Sequence, residues 1–218
     1  MLHWLSKDQA FPPLQCAWQE PNGLLAAGGD LSTQRLLQAY RLGIFPWYSP
    51  GQPILWWSPD PRMVLFPQEL HISRSLHKRL KKQDYEIRYD TAFRQVLQAC
   101  AETPRPGQQG TWITHEMIAA YCELHAQGYA HSLEVWMHGQ LAGGIYGVAI
   151  GKMFYAESMF HRVTDASKIA LVHLVWKLRD AGFGLIDCQM KTSHLSSLGA
   201  REISREAFIA HIQRLIAQ

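Results

Sequence analysis

Apolar residues follow helical spacing at one place before residue 62. This apolar stripe consists of Leu36, Leu37 and Tyr40. Ser32 can cap the predicted helix at its start, and Gly43 can end it. The surrounding chain is rich in Pro, Gly and Trp, which is typical of turns, and residues 54–61 predict a strand that leads into a proline-rich joint. We therefore place a domain boundary near Arg62.

Beyond that boundary, the spacing of apolar residues alternates between strand and helix periodicity. Strands are predicted at 63–66, 85–89, 131–137, 141–150, 153–159 and 185–190. Helices are predicted at 73–82, 91–100, 115–127, 166–180 and 204–216. The pairs His138-Gly139 and Gly151-Lys152 fit tight turns between three consecutive strands, which indicates an antiparallel meander. We predict an α+β protein with a small N-terminal α/β domain, residues 1–62, and a larger domain, residues 63–218.

The order of elements in the larger domain resembles the acetyltransferase-like (GNAT-like) fold of many acyl-transferring enzymes, although a fold alone does not fix a substrate. Coenzyme A enzymes of this fold hold the pyrophosphate with a glycine-rich turn at a helix start. The nearest string here, QLAGGI at 140–145, lacks the final small residue and lies in a predicted hairpin strand. We therefore expect a different activated acyl donor and no cofactor.

Composition excludes several classes of protein. The chain has 218 residues, of which 47% are hydrophobic, as in an ordinary globular protein. Its longest nearly apolar stretch, 141–151, is far shorter than the roughly 20 residues that span a bilayer. The start lacks a basic segment followed by a long apolar run. We therefore expect no membrane segment and a cytoplasmic location. We also expect a monomer, although composition does not bear on this.

The spacing of cysteines and histidines indicates neither a metal site nor a disulfide framework. The four cysteines never form Cys-x-x-Cys, and none of the 11 histidines occurs in His-Glu-x-x-His or a similar spacing. With 21 Lys and Arg against 18 Asp and Glu, the net charge of +3 neither demands nor excludes a nucleic-acid partner. We expect no metal.

The short predicted strand after the long apolar helix carries an acid and an amide two positions apart. Strand alternation places Asp187 and Gln189 on one face and Cys188 on the other. The carboxylate could hydrogen-bond the amide, and the pair could orient an incoming amine and manage its proton during attack on an ester. Alternatively, the two side chains form a structural polar pair at a sheet edge.

A single acid, Glu157, lies on an otherwise apolar predicted strand. A carboxylate in such surroundings needs a cationic partner. That partner could be the ammonium or guanidinium group of a substrate, or a structural arginine, and both alternatives remain open.

Residues 71–82 contain five Lys or Arg and no acid. Four cations share one face of the predicted helix: Arg74, Lys78, Lys81 and Lys82. The opposite face carries Ile72, Leu76 and Leu80. This arrangement fits a helix that docks on a core and faces RNA phosphates, but it also fits a solvated charged face.

Several aromatic residues occur in predicted loops and at strand ends. They are Trp47, Tyr48, Trp56, Trp57 and Trp112. Such side chains could stack on an exposed nucleotide, although most tryptophans belong to a core. None of them alone identifies a binding site.

Strings along nearly the whole chain resemble the leucyl/phenylalanyl-tRNA–protein transferase family. They are EPNGLLA at 20–26, GGDLS at 28–32, GIFPW at 43–47, WWSPDPR at 56–62, TWI at 111–113, HSLEVW at 131–136, ESMF at 157–160, DCQ at 187–189 and SLGA at 197–200. The resemblance implies transfer of Leu or Phe, and less readily Met, from Leu-tRNA or Phe-tRNA to proteins with N-terminal Arg or Lys, which marks them for degradation. It also implies a small N-terminal domain and an acetyltransferase-like domain.

The same resemblance implies roles for individual residues. Asp187 and Gln189 correspond to the proposed catalytic pair, in which Asp187 polarises or orients Gln189. Glu157 corresponds to the carboxylate that reads the charged group of the substrate, and Met159 helps to line the pocket for the transferred side chain. Aromatic positions around the terminal adenosine of the tRNA and the substrates correspond to Tyr40, Trp47, Trp112 and Tyr121.

Departures from the family pattern concern fine substrate preference. Ala156 stands where a glycine is expected, Ile145 replaces a Leu or Met of the pocket, and the sequence stops soon after the last predicted helix. Two rival functions are a coenzyme A-dependent amine acetyltransferase and a non-enzymatic RNA-binding protein. A thermal-shift scan with acetyl-coenzyme A addresses the first, and tRNA binding without turnover would indicate the second.

Overall fold

Two β-sheets hold the strands of the computed structural model, which describes residues 1–103 and 111–217. The smaller sheet contains β1 (His3–Leu5), β2 (Leu24–Gly28), β3 (Phe45–Pro46) and β4 (Leu55–Trp57). The larger sheet contains β5 (Arg62–Leu65), β6 (Glu86–Tyr89), β7 (Ala130–Met137), β8 (Gln140–Ile150), β9 (Met153–His161), β10 (Leu185–Gln189) and β11 (Arg201–Ile203). Their orders are β1-β2-β4-β3 and β11-β5-β10-β9-β8-β7-β6.

Most of the helices begin next to a residue whose side chain caps the first turn. They are α1 (Thr33–Arg41), α2 (Arg74–Leu80), α3 (Phe93–Glu102), α4 (His115–Ala126), α5 (Ala166–Asp180), α6 (Ser193–Ser197) and α7 (Arg205–Ile216). At α1, the predicted cap is confirmed, because the Ser32 hydroxyl accepts a hydrogen bond from the backbone N–H of Arg35. The predicted bounds of the helix at 166–180 match those of α5.

Sequence analysis missed five short elements: β1, β2, β3, β11 and α6. They are two to five residues long, too short for a periodic pattern to develop. In β2, four of the five residues are buried, so apolar and polar positions do not alternate.

The larger sheet is covered on both faces. One face shares a hydrophobic cluster with the smaller sheet and with α1, α3, α4 and α7, so Leu25 and Trp56 lie in the same core as Tyr155 and Phe208. The other face packs against α2 and α5. Arg62, the first residue of β5, marks the start of the larger sheet, and the domain division at residue 62 stays a prediction.

The strands β9 and β10 are parallel neighbours that pair only at one end. Their register joins Leu185, Ile186 and Asp187 to Met153, Phe154 and Tyr155. In the described residues, no pairing continues beyond Asp187, although β9 runs on to His161. A β-bulge between Asp187 and Gln189 disturbs the pairing of β10 with β5. The sheet therefore opens between β9 and β10, and this opening positions the site.

Candidate active site

Glu157 lies where β9 continues past its pairing with β10. Its side chain is directed toward α1 and α4, and the residue is buried. The hydroxyl of Tyr40 donates a hydrogen bond to Oε1 over 2.8 Å, and the hydroxyl of Tyr121 donates to Oε2 over 3.0 Å. The side-chain amide of Gln189 also donates to Oε1, over 3.0 Å. The carboxyl group is therefore held by three neutral donors from α1, α4 and β10.

Of the two alternatives for a partner of Glu157, the structural arginine is contradicted. Within the parts of the chain that the structure describes, the direct partners of this carboxyl are hydroxyl and amide groups, not a lysine or arginine. Burial raises the pKa of Glu157 to about 7, while the hydrogen bonds from Tyr40 and Tyr121 oppose this rise. The substrate cation remains as the open alternative.

The two tyrosines make Glu157 part of a proton-binding cluster. Their hydroxyl oxygens contact each other as well as the carboxyl group, so three oxygen-to-oxygen contacts share the available protons. The hydroxyl groups of Tyr40 and Tyr121 carry two protons between them, which is one fewer than the number of contacts. A protonated Glu157 carboxyl group would supply a third proton. Burial and the adjacent Glu157 also raise the pKa of Tyr40 and Tyr121 well above that of an ordinary tyrosine. The geometry and the raised pKa both favour a proton on this cluster near neutral pH.

Asp187 lies behind the opening and does not reach it. Its side chain is fully buried and forms a bidentate ion pair with Arg62, with distances of 2.8 Å from Nε to Oδ1 and 2.7 Å from Nη2 to Oδ2. Oδ1 also accepts a hydrogen bond from the backbone N–H of Gln189 over 2.9 Å. The predicted bond from Asp187 to the side-chain amide of Gln189 is wrong, because that amide bonds Glu157 instead.

The Gln189 amide does not face Asp187 because of the backbone conformation at the end of β10. Gln189 has φ of +61°, a left-handed conformation that breaks the strand alternation on which the prediction rested. Sequence analysis also missed Arg62. The signal that could have found it is that Arg62 and Asp187 each place one charge on an otherwise apolar strand. Each of these charges needs a partner of opposite sign.

A cavity of about 320 Å³ opens beside Glu157 and Gln189. Its apolar wall consists of Ile145, Ala156, Met159, Leu171, Cys188 and Leu195. Thr192 and His194 line it as well. Met159, which was predicted to line the pocket, therefore lies in the same apolar cavity as Ile145, which departs from the expected Leu or Met. A carboxyl group and an amide lie at the side of this cavity.

The aromatic residues that the sequence places in loops and at strand ends fall into two groups, apart from Tyr40 and Tyr121, which are buried beside Glu157. Tyr48, Trp56 and Trp57 are buried, which favours a place in the core over contact with an exposed nucleotide for these three. Trp47 and Trp112 are half-buried. The ring of Trp47 meets that of Trp57 at 5.4 Å between centroids. Trp47 and Trp112 remain candidates for contact with a nucleotide.

The predicted basic residues lie on the surface at α2. Arg74, Lys78, Lys81 and Lys82 are exposed, while Leu76 and Leu80 are buried, as the amphipathic pattern indicated. The helix ends earlier than predicted, so Lys81 caps it and Lys82 follows it. None of these four cations lines the cavity next to Glu157.

The glycine-rich string at 140–145 does not fit a pyrophosphate. It lies in β8, whose backbone pairs with β7 on one side and β9 on the other. A Cβ on Gly143 would lie 2.6 Å from the Cβ of Ala166, so this glycine allows α5 to approach the sheet. Its N–H groups are part of a β-ladder rather than a phosphate-binding turn.

Residues 1–103 and 111–217 contain no group of three or more His, Cys, Asp or Glu side chains that could hold a metal ion. No helix in these residues is long and apolar enough to cross a bilayer.

Comparison with known proteins assigns the chain to a family. The sequence matches the family model described as leucyl/phenylalanyl-tRNA protein transferase over residues 64–213 and the model for the N-terminal domain of that protein over residues 29–60. The chain belongs to the leucyl/phenylalanyl-tRNA–protein transferase family. The resemblance noted from the sequence strings is thereby confirmed, together with the class of enzyme.

Relatives with this name match along nearly their whole length. The leucyl/phenylalanyl-tRNA–protein transferase of Nitrosomonas europaea is 66% identical over 217 residues, which cover 100% of this chain and 92% of that protein. The protein of the same name from Chromobacterium violaceum is 62% identical, covering 98% of this chain and 91% of its own length.

Among solved structures, a GCN5-related N-acetyltransferase from Kribbella flavida aligns with a TM-score of 0.41 and 10% identity, covering 77% of this chain and 60% of that chain. For this member of the transferase family, the predicted α+β class with a small N-terminal domain before a larger domain is confirmed, and the acetyltransferase-like fold of the larger domain stays a prediction.

Proposed function

We propose that this chain transfers Leu or Phe, and less readily Met, from aminoacyl-tRNA to the α-amino group of proteins with N-terminal Arg or Lys, and so marks them for degradation. The observation that carries this proposal is the Gln189 amide, which joins the buried Glu157 to an apolar cavity at an opening of the sheet. Such a site offers separate surroundings for an apolar side chain and for an amine.

The donor side chain is assigned to the cavity of about 320 Å³. Its wall is apolar at Ile145, Met159 and Leu171, which suits Leu, Phe and Met and disfavours a charged side chain. Because one methylene changes discrimination by only about 1 to 3 kcal/mol, three apolar amino acids can share the cavity.

The acceptor amine is assigned to Gln189 and Glu157. The Nε2 of Gln189 donates to Glu157, and in the described residues its Oε1 accepts no hydrogen bond, so it can accept one from the incoming amine. An amide is a very weak base, so Gln189 positions the amine rather than taking a full proton. Glu157 reads the positive charge of the acceptor in its ionised form, which the approach of a cation favours over the protonated form.

The reaction forms a peptide bond without ATP, metal or coenzyme A, because the ester is already activated. The amine nitrogen attacks the ester carbonyl carbon, and the bond from that carbon to the ribose oxygen breaks. The amine loses one proton, and the departing ribose oxygen gains one. The cytoplasm is the proposed location, and the protein acts as a monomer.

The transfer assay uses radiolabelled Phe-tRNA and a protein with N-terminal Arg. Label should enter the acceptor only while the tRNA is intact, so ribonuclease abolishes it, and an acceptor with N-terminal Ala should remain unlabelled. Gln189→Ala should slow transfer by roughly 10²-fold, because positioning of the amine is lost. The exposed Gln98→Ala is the matched control. Equal rates for Gln189→Ala and Gln98→Ala would contradict the assigned role.

The tRNA is proposed to contact the exposed cations of α2. Neutralising Lys78, Lys81 and Lys82 to Gln should weaken binding of all tRNAs alike and make the salt dependence shallower, because each phosphate contact contributes roughly 0.7 to 0.9 to the slope. The measurement is Phe-tRNA affinity over a series of salt concentrations. The control removes three exposed cations elsewhere: Lys177, Lys191 and Arg214. An unchanged slope for the α2 variant rules this helix out as the contact.

A further inference from the structure

Arg62 is a buried cation at the point where three parts of the molecule meet. Its guanidinium lies 4.7 Å from the ring centroid of Phe45 in β3 and 4.6 Å from that of Phe208 in α7. Nη1 donates to the backbone carbonyl of Gly43 over 3.2 Å, and the other nitrogens bind Asp187. The smaller sheet, the larger sheet and the last helix are thus all in contact with one side chain.

The carboxylate of Asp187 connects this cation to the site. Oδ1 accepts both from Nε of Arg62, at 2.8 Å, and from the backbone N–H of Gln189, at 2.9 Å. The two bonds fix the backbone just where Gln189 takes its left-handed conformation. A non-glycine residue holds such a conformation only when its surroundings impose it.

The direction of the Gln189 side chain follows from this backbone conformation. Because β10 turns there, the amide reaches across the opening of the sheet to Glu157 and does not turn back to Asp187. Asp187 is fully buried, so it cannot touch a substrate in this conformation.

On the basis of the proposed function, we infer that Arg62 and Asp187 form a positioning pair. Arg62 holds the carboxylate of Asp187, and Oδ1 of that carboxylate holds the backbone N–H of Gln189. The side-chain amide of Gln189 is thereby directed at Glu157 and at the acceptor amine. Asp187 therefore acts through the Gln189 backbone and not as a chemical participant. Arg62 joins the set of residues on which transfer depends.

Neutral replacements separate the ion pair of Asp187 with Arg62 from its hydrogen bond with the backbone N–H of Gln189. The substitution Asp187→Asn keeps an oxygen for the Gln189 N–H but leaves Arg62 without its anion, whereas Arg62→Met leaves the Asp187 anion without its cation. Either single change strands a buried charge. The double variant Arg62→Met with Asp187→Asn contains neither charge, retains the acceptor oxygen, and keeps an unbranched side chain between the two aromatic rings.

The experiment measures kcat and KM for transfer from Phe-tRNA to an N-terminal Arg protein by the wild type, both single variants and the double variant. Each single variant should lose roughly 10²-fold in kcat with little change in KM, as expected when positioning in the transition state is lost. The double variant should recover at least about tenfold in kcat over Asp187→Asn, because the two changes are coupled. A double variant no faster than Asp187→Asn overturns the inference. Absence of transfer by the wild type contradicts the proposed function instead.

Hydrogen exchange of the wild-type protein tests the same bond without a variant. The amide proton of Gln189 should exchange at least about 10²-fold more slowly than in an unstructured peptide, although it lies at the very end of a strand. Exchange at the unstructured rate would show that Asp187 does not hold it, and would overturn the inference even if the single variants failed to fold.

Discussion

Replacing Glu157 with glutamine should remove a pH dependence of folding stability that this carboxyl imposes. Burial raises its pKa from an ordinary value of 4.5 to about 7. The folded protein therefore binds a proton that the unfolded chain releases between these two values. Stability from this group is fully present below the unfolded pKa and is lost as the pH rises through the folded pKa.

The size of the effect follows from the pKa change. One pH unit corresponds to about 1.4 kcal/mol for one proton, so the ionisation of Glu157 lowers the free energy of unfolding by about 3 kcal/mol in all. A glutamine at this position has no charge to bury. Its oxygen and its amide can serve the same two tyrosines, Tyr40 and Tyr121, much as the protonated acid does.

The assay is urea unfolding of the wild type and Glu157→Gln at a series of pH values from about 5 to about 8. Other groups also titrate in this range, so the quantity to follow is the difference between the two proteins. Wild-type stability relative to the variant should fall by about 1.4 kcal/mol per pH unit between about pH 5 and about pH 6.5. The exposed Glu206→Gln on α7 is the control and should show no such trend.

Parallel stability curves for the wild type and Glu157→Gln would refute the reasoning. They would mean that the carboxyl stays ionised in the folded protein throughout this range. Only the two phenolic protons of Tyr40 and Tyr121 would then be shared among the three oxygen-to-oxygen contacts of the cluster.

Three further outcomes are expected. Gly147→Ala should destabilise the fold by more than about 3 kcal/mol in urea unfolding, because its Cβ would collide with the backbone oxygen of Tyr155; a smaller loss would mean that β8 shifts easily. Met159→Ala should shift the competition between Leu-tRNA and Phe-tRNA toward Phe by roughly tenfold, because the enlarged cavity favours the bigger side chain; an unchanged ratio would place the donor elsewhere. Ser204→Ala should cost about 1 kcal/mol of stability, because α7 loses the hydroxyl that accepts the N–H of Ala207; unchanged thermal unfolding would contradict this cap.

Local patterns determined much of the fold in advance. Helix α1 could be predicted because a capping serine, an apolar stripe and a terminal glycine all lie within one short segment. The bounds of α5 and the three-strand meander follow from equally local periodicity. The family could be identified from strings along the chain, since each string is itself a local feature.

The contacts within the site were decided by tertiary structure. Arg62 and Asp187 are 125 positions apart, and Tyr40 and Glu157 are 117 apart, so spacing along the chain cannot pair them. The prediction that Gln189 shares a strand face with Asp187 failed because a bulge ends β10 in a left-handed turn.

Sequence alone therefore indicated Glu157, Asp187 and Gln189 as candidate site residues, since an acid or amide among apolar neighbours is recognisable in one dimension. Only the folded chain decided what each of them binds. Burial and the neighbours supplied by distant elements set the raised pKa of Glu157 and the direction of the Gln189 amide. Both depend on distances across the sheet opening, which the linear order of residues does not contain.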